Sequence, residues 1–165
     1  MIRRGELEDL PRLVEISLAA FESVTWQREV DRLFGPLHGQ DWKQRWRRRV
    51  ARAIAEQTFL VLEENGRIAG YACGTLDKAI GLGHLDILAV DPAVQGHGHG
   101  CRLLHAFEEW VRAQGGSYLT LESLTGNETA SALYRREGYQ ALASHYNWFK
   151  RLSGPGEHEP ATPAE

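Results

Sequence analysis

Apolar residues recur along this chain with two different periods, and the switching between them divides the sequence into elements. Leu10, Val14, Leu18 and Phe21, with Leu13 beside them, fall on one face of a 3.6-residue helix. Asp9 is placed to cap that helix, and Pro11 suits its first turn. Trp42, Trp46, Val50 and Ile54 repeat every four residues and predict an amphipathic helix over 41–56, with Asp41 as its cap. Residues 22–41 keep no sustained period and predict a loop with one helical turn. A loop of that length in a compact domain is a candidate wall for a binding site. Ile2 to Arg4 predicts a short opening strand.

Strand patterns follow. Thr58–Leu62 and Ile68–Gly74 flank Asn65-Gly66, a strong signal for a tight hairpin. A third strand runs from Leu82 or His84 to Val90 and stops at Asp91-Pro92. Three glycines at alternate positions, Gly96, Gly98 and Gly100, precede a second helical stripe of Leu103, Leu104, Phe107, Trp110 and Val111. Gly115-Gly116 ends that helix at about Gln114. Ser117–Leu124 predicts a strand, and Asn127 caps a short helix through Arg136 that Gly138 closes. Tyr139–Leu142 and His145–Leu152 predict a final hairpin. From Ser153 onward nothing is available to bury, so 153–165 is expected to be a disordered tail behind a single domain over 1–152.

A strand, a glycine loop and a helix in succession direct several free backbone N–H groups and a positive dipole end at an anion. Glycine lets the phosphate approach and tolerates φ > 0, although a plain tight turn needs the same residues. A P-loop would need a lysine that is missing here. A dinucleotide loop would need glycine where Leu103 stands, and more parallel strands than follow Gly100. Gln95-Gly-His-Gly98-His-Gly100, opening a helix, instead resembles the Arg/Gln-x-x-Gly-x-Gly/Ala pyrophosphate loop of the GNAT family of N-acetyltransferases. Asn127-Glu-Thr-Ala130-Ser-Ala-Leu133-Tyr134-Arg-Arg-Glu-Gly138-Tyr139 is similar to the same family's Asn-x-x-Ala-x-x-x-Tyr-x-x-x-Gly-Phe/Tyr segment. The two matches come in the family's order.

Composition agrees with one soluble domain. Its 165 residues suffice for a single core, and a net charge of −3 argues against general nucleic-acid affinity. The basic residues Lys43, Arg45, Arg47, Arg48, Arg49 and Arg52 are expected to form a solvated helix face rather than a nucleic-acid patch, and Trp42 and Trp46 to be core anchors. Apolar runs are too short to span a membrane, the start lacks a signal-peptide core, and two cysteines make no disulfide framework. A cytoplasmic protein without nucleic-acid or membrane partners, monomeric or homodimeric, is expected.

The resemblance implies an α/β fold with a mixed sheet, the GNAT acyl-CoA N-acyltransferase order β-αα-β-β-β-α-β-α-β-β, splayed between strands 4 and 5. It implies acetyl-CoA as co-substrate, with the pyrophosphate on the amides from Gly96, His97, Gly98, His99 and Gly100 to Cys101, and Gln95 shaping the mouth of the loop. Backbone of Leu88, Ala89 and Val90 would pair with the pantetheine arm, and Asn127 and Tyr134 would complete the cofactor site, with Arg102 as a possible phosphate partner. The reaction implied is direct attack of a primary amine, small-molecule or protein-borne, on the thioester. Tyr134 matches the family's tyrosine general acid; the alternative is a core aromatic. For the base, His84, Glu122, Asp86 and a water chain all remain open, His84 because histidine titrates near neutral pH. No metal is expected: His97, His99, Cys101 and His105 are close in sequence, but His99 and His105 were assigned different backbone states, and His97 and His99 should point outward from a phosphate-binding loop. The alternative function is a non-catalytic acyl-CoA-binding regulatory module of the same fold.

Overall fold

The computed structural model describes residues 1–152, so the expected tail lies outside the described residues. In chain order the elements are β1 (Ile2–Arg4), α1 (Leu10–Phe21), α2 (Gln27–Phe34), α3 (Trp42–Glu56), β2 (Thr58–Glu64), β3 (Arg67–Asp77), β4 (Leu82–Val90), α4 (His99–Ala113), β5 (Tyr118–Leu121) and α5 (Glu128–Arg136). Among the described residues these strands form one mixed sheet in the order β1-β2-β3-β4-β5. The first four are antiparallel and β5 joins β4 in parallel.

Local chemistry accounts for the boundaries. Asn65 and Gly66 take φ of 50° and 73°, the pair of left-handed conformations that a two-residue hairpin requires. The Asp41 side chain accepts from the Gln44 N–H at 2.8 Å, and Gln44 Oε1 accepts from the Asp41 N–H at 2.9 Å, a reciprocal cap that starts α3. One sheet face packs on α1 and α3 through Leu13, Ile16, Trp46, Val50, Tyr71 and Ile87. The other packs on α4 through Leu62, Ala72, Leu85, Leu103, Leu104 and Phe107. Trp42 and Trp46 are buried, as core anchors should be.

Two features of β4 shape everything downstream. Cys73 pairs with Ile87 and Gly74 with Leu85, so Asp86 is an extra residue that bulges out of the ladder. On its other side β4 pairs with β5 only from Leu82 to Leu85, leaving Asp86 to Val90 with no strand there among the described residues. This is the expected splay.

Three expectations need correction. The stretch 22–41 holds a full helix, α2, rather than one turn. It buries only Val30, too little to show as a periodic stripe; Asp31 holds it instead, accepting from the Trp42 N–H and pairing with Arg45 at 2.7 Å. The strand predicted over Ser117–Leu124 is confined to Tyr118–Leu121. The final hairpin over Tyr139–Leu142 and His145–Leu152 does not form. Its connection, Ala143-Ser144, has no residue suited to the positive φ of a tight turn. The segment instead contacts α2, with the Phe149 ring 4.9 Å from Phe34 and Arg151 donating to the Phe34 carbonyl.

Gly74 faces the bulge at very close range. A Cβ there would lie 2.0 Å from the His84 carbonyl oxygen and 2.7 Å from the Phe107 ring. Because the first is backbone, the strand itself would have to move. Gly74→Ala is expected to cost about 3 kcal/mol and to lower the thermal midpoint by roughly 6–12 °C. Calorimetry would measure this, and an unchanged midpoint would mean that β3 and β4 do not approach this closely.

Candidate active site

A cavity of about 280 Å³ lies where β4 and β5 part. His84, Asp86 and Leu88 line it from β4, Glu122 from the segment after β5, and Asn127 and Tyr134 from α5. Val24 to Gln27 form part of another wall, so the start of the 22–41 stretch does border a cavity. His84 and Asp86 share this side of the strand. Glu122 sits one residue beyond β5 and is exposed.

The charges around the cavity are unequal in availability. Arg49 donates to Asp86 Oδ1 at 2.7 Å, and Gln57 donates to Asp86 Oδ2 at 3.0 Å. Both carboxylate oxygens are therefore engaged. Tyr134 is largely shielded, its hydroxyl has no hydrogen-bond partner among the described residues, and burial raises its pKa. Its ring meets Tyr139 edge-on at 5.9 Å between centroids. Asn127 accepts from the Ala130 N–H at 3.2 Å, which makes it the cap of α5 as well as part of the cavity wall.

The glycine loop joins β4 to α4. Gln95 Nε2 donates to the Val90 carbonyl at 3.0 Å and so ties the mouth of the loop to the strand end. Gly96 and Gly98 take φ of 82° and 79°, conformations that exclude ordinary side chains. Gly100 is different: a Cβ there would meet only Leu133, at 3.5 Å, so the protein's own packing does not demand glycine. The first α4 hydrogen bond runs from the Arg102 N–H to the Gly98 carbonyl at 3.1 Å. The N–H groups of His99, Gly100 and Cys101 thus leave the helix end without intrahelical acceptors. Free amides, a positive helix end and a glycine without a packing reason suit a phosphate group.

The histidines depart from expectation. His97 stays outside, its Nδ1 near the Val94 and Gln95 carbonyls. His99 turns inward and is 3% exposed, with Nε2 2.9 Å from Glu64 Oε2 but out of hydrogen-bond alignment. The first turn of α4 lies against the end of β2, and that proximity overrides the outward direction. His99 and His105 are also both helical, contrary to the backbone states assigned to them. Arg49 was missed as a site residue because it was grouped with a solvated basic face. It sits three residues after Trp46 and four before Ala53, within the buried stripe, and that spacing was the available signal.

The model of the Acetyltransferase (GNAT) family matches residues 15–139. The chain is 36% identical over 81 residues to the IAA acetyltransferase of Azospirillum brasilense, covering 49% of this chain and 53% of that protein. It is 35% identical over 97 residues to the ribosomal protein bS18-alanine N-acetyltransferase of Haemophilus ducreyi, covering 58% and 64%. The matches thus span little more than half the length of these relatives. The crystal structure of the PaiA N-acetyltransferase of Thermoplasma acidophilum in complex with coenzyme A shares the fold, with a TM-score of 0.66, 17% identity and coverage of 88% and 92%.

Asp91 fixes the strand end that leads into the loop. Its Oδ1 accepts from the Ala93 N–H at 2.9 Å and its other oxygen pairs with the Arg12 guanidinium. Both partners hold its carboxyl below the usual range, the Ala93 N–H foremost. A depressed carboxyl stabilises the fold above its ordinary pKa, and that contribution is lost as pH falls through the lower folded value. Asp91→Asn should therefore cost about 1 kcal/mol at neutral pH, and the gap to wild type should narrow as pH falls below the ordinary carboxylate pKa of about 3.9. Urea unfolding across that range tests it; a gap independent of pH would remove the charge from the explanation.

Proposed function

The chain belongs to the Acetyltransferase (GNAT) family, and on that premise we propose that it moves an acetyl group from acetyl-CoA to a primary amine by direct attack in a ternary complex. The observation that carries this reading is the single cavity that gathers His84, Glu122, Asn127 and Tyr134 beside the open edge of β4, with the free amides of α4 at the next turn of the chain. The residues present fit acetyl-CoA. The amides of Gly96 to Cys101 would hold the pyrophosphate, and the backbone of Leu88 to Val90, on the edge of β4 away from β3, would hold the pantetheine arm like an added strand.

Acetyl-CoA supplies an acetyl group already activated as a thioester. The rest falls to the chain. An alkyl amine of pKa near 10.4 is neutral only about once in 2,500 molecules at pH 7, a penalty of roughly 4.6 kcal/mol. His84, directly or through water, takes the proton as the N–C bond forms. Its competitor Asp86 is held by two donors, and Glu122 lies on an exposed segment just beyond β5.

As the C–S bond breaks, Tyr134 donates its phenolic proton to the departing sulfur. A phenol near pKa 10 giving its proton to a thiolate near 8.5 runs uphill by roughly 2 kcal/mol, and burial of Tyr134 adds to that. Donation is therefore late, and depends on the sulfur being held against the hydroxyl. The cysteines do not compete as nucleophiles: burial pushes the Cys73 thiol up to about 12, and burial with the nearby Glu137 raises Cys101. This favours direct transfer over an acyl-enzyme.

Acceptors of two kinds fit, small amines and protein amino termini; the names of relatives include a ribosomal-protein alanine. Thiol release from acetyl-CoA should be followed with polyamines, aminoglycosides and alanine-initial peptides. Amine-dependent release is expected, and Tyr134→Phe should lower kcat by about 10²–10⁴-fold while calorimetric binding of coenzyme A persists. Undiminished turnover in Tyr134→Phe would remove it as the acid. Tight binding of acetyl-CoA without turnover on any amine would favour the regulatory-module reading.

A further inference from the structure

Cys101 and His105 stand one turn apart on α4, and the residue that ends α5 reaches both of them. Cys101 Sγ lies 3.3 Å from Glu137 Oε1 and 3.7 Å from His105 Nε2, and His105 Nε2 lies 2.7 Å from Glu137 Oε2. A thiol, an imidazole and a carboxylate thus converge from two helices, within 4.8 Å of one another. We propose that Cys101, His105 and Glu137 form a site for a thiophilic divalent cation of the zinc class, with a fourth position open to water or an exogenous ligand. This stands apart from the acetyl-transfer reading and needs none of the residues assigned to proton transfer.

The spacing supports it. Zinc binds thiolate sulfur at about 2.3 Å and imidazole nitrogen or carboxylate oxygen at about 2.0–2.2 Å, so tetrahedral ligands stand roughly 3.3–3.6 Å apart. The Cys101–His105 separation of 3.7 Å is already close to that range. The His105–Glu137 hydrogen bond would open by roughly half an ångström as Oε2 moves onto the metal. The donor set is also selective: thiolate with imidazole favours zinc-class cations and disfavours magnesium or calcium, which take oxygen ligands.

The third ligand is held in place by the backbone. The Glu137 N–H donates to the Leu133 carbonyl at 3.0 Å, and Gly138, at φ 88°, turns the chain away immediately afterwards. Arg136 Nε touches Glu137 Oε1 at 3.0 Å, so it can orient the carboxylate while Oε2 turns to the metal. On binding, the cation replaces the Cys101 thiol proton, which leaves to solvent, and no redox change is involved. The expectation of no metal considered only residues 97–105; the ligand it lacked comes from the far end of α5. A bound ion would clip α4, which carries the glycine loop, to α5, which carries Tyr134.

The test is a titration of the full chain with Co²⁺, followed by absorption, with Zn²⁺ added in competition. One equivalent should bind with a thiolate-to-cobalt charge-transfer band, and Zn²⁺ should displace it. Cys101→Ser should abolish the band and weaken binding at least about 100-fold; Glu137→Gln should keep the band and weaken binding about 10–100-fold. Cys73→Ala should leave the titration unchanged. Circular dichroism would verify that each variant is folded, and the band in the unmodified chain is a readout that requires no variant. No binding, binding without the band, or wild-type binding by folded Cys101→Ser would each overturn the site.

Discussion

The structure turns on a strand that is paired on both sides for only half its length. Up to Leu85, β4 is an interior strand; from Asp86 to Val90 it has β3 on one side and, among the described residues, no strand on the other. Each backbone hydrogen bond forgone is worth about 0.5–1.5 kcal/mol, and an open edge invites mispairing. The bulge at Asp86 begins where the pairing stops and turns the edge aside, while α5 and the segment after β5 overhang it. The cavity is the space left by that interrupted pairing. Its side chains come from elements that would be fused into a wall if β5 continued.

What the adjoining loop offers an anion is a local matter. A net charge of −3 gives the chain no general attraction for phosphates. What the loop offers is short-range: amides without acceptors at the start of α4 and the positive end of its dipole, both effective within one turn. Their aim depends on a rigid approach, and the chain supplies one. The Asp91–Arg12 pair fixes the strand end to α1, and the Gln95 amide fixes the loop to the Val90 carbonyl.

Elements set by neighbouring residues were legible in the sequence. Asn65-Gly66 specified its hairpin, Asp41 with Gln44 started α3, and Gly98 preceded α4, because each acts through its own backbone within a few residues. What went unseen was decided by contacts across long separations. Helix α2 exists through Asp31 reaching Trp42 and Arg45 rather than through an apolar stripe. His99 faces inward because β2 ends beside it, and Glu137 meets Cys101 only after the chain has passed through β5 and α5. The last hairpin failed for the opposite reason: its strand-like residues alternate suitably but have no turn to close them. The cavity was half readable, since the motifs contain Tyr134 and Asn127, which line it, whereas Asp86 pairs with a residue 37 positions away.

That partner is Arg49, which with Gln57 gives both oxygens of the acidic residue inside the cavity a donor. Arg49 stacks over the Trp46 ring at 4.9 Å and donates to Asp86, while Gln57 takes the remaining oxygen. An ion pair shielded on one side and open to a cavity on the other contributes little net stability, because desolvation offsets most of the attraction. Its effect is one of position and charge. The pair joins α3 to the bulge of β4, fixing the aromatic wall relative to His84. It also offsets the carboxylate charge at the cavity wall. With Arg49 and Gln57 in place, Asp86 enters the cavity wall beside His84 as a paired charge.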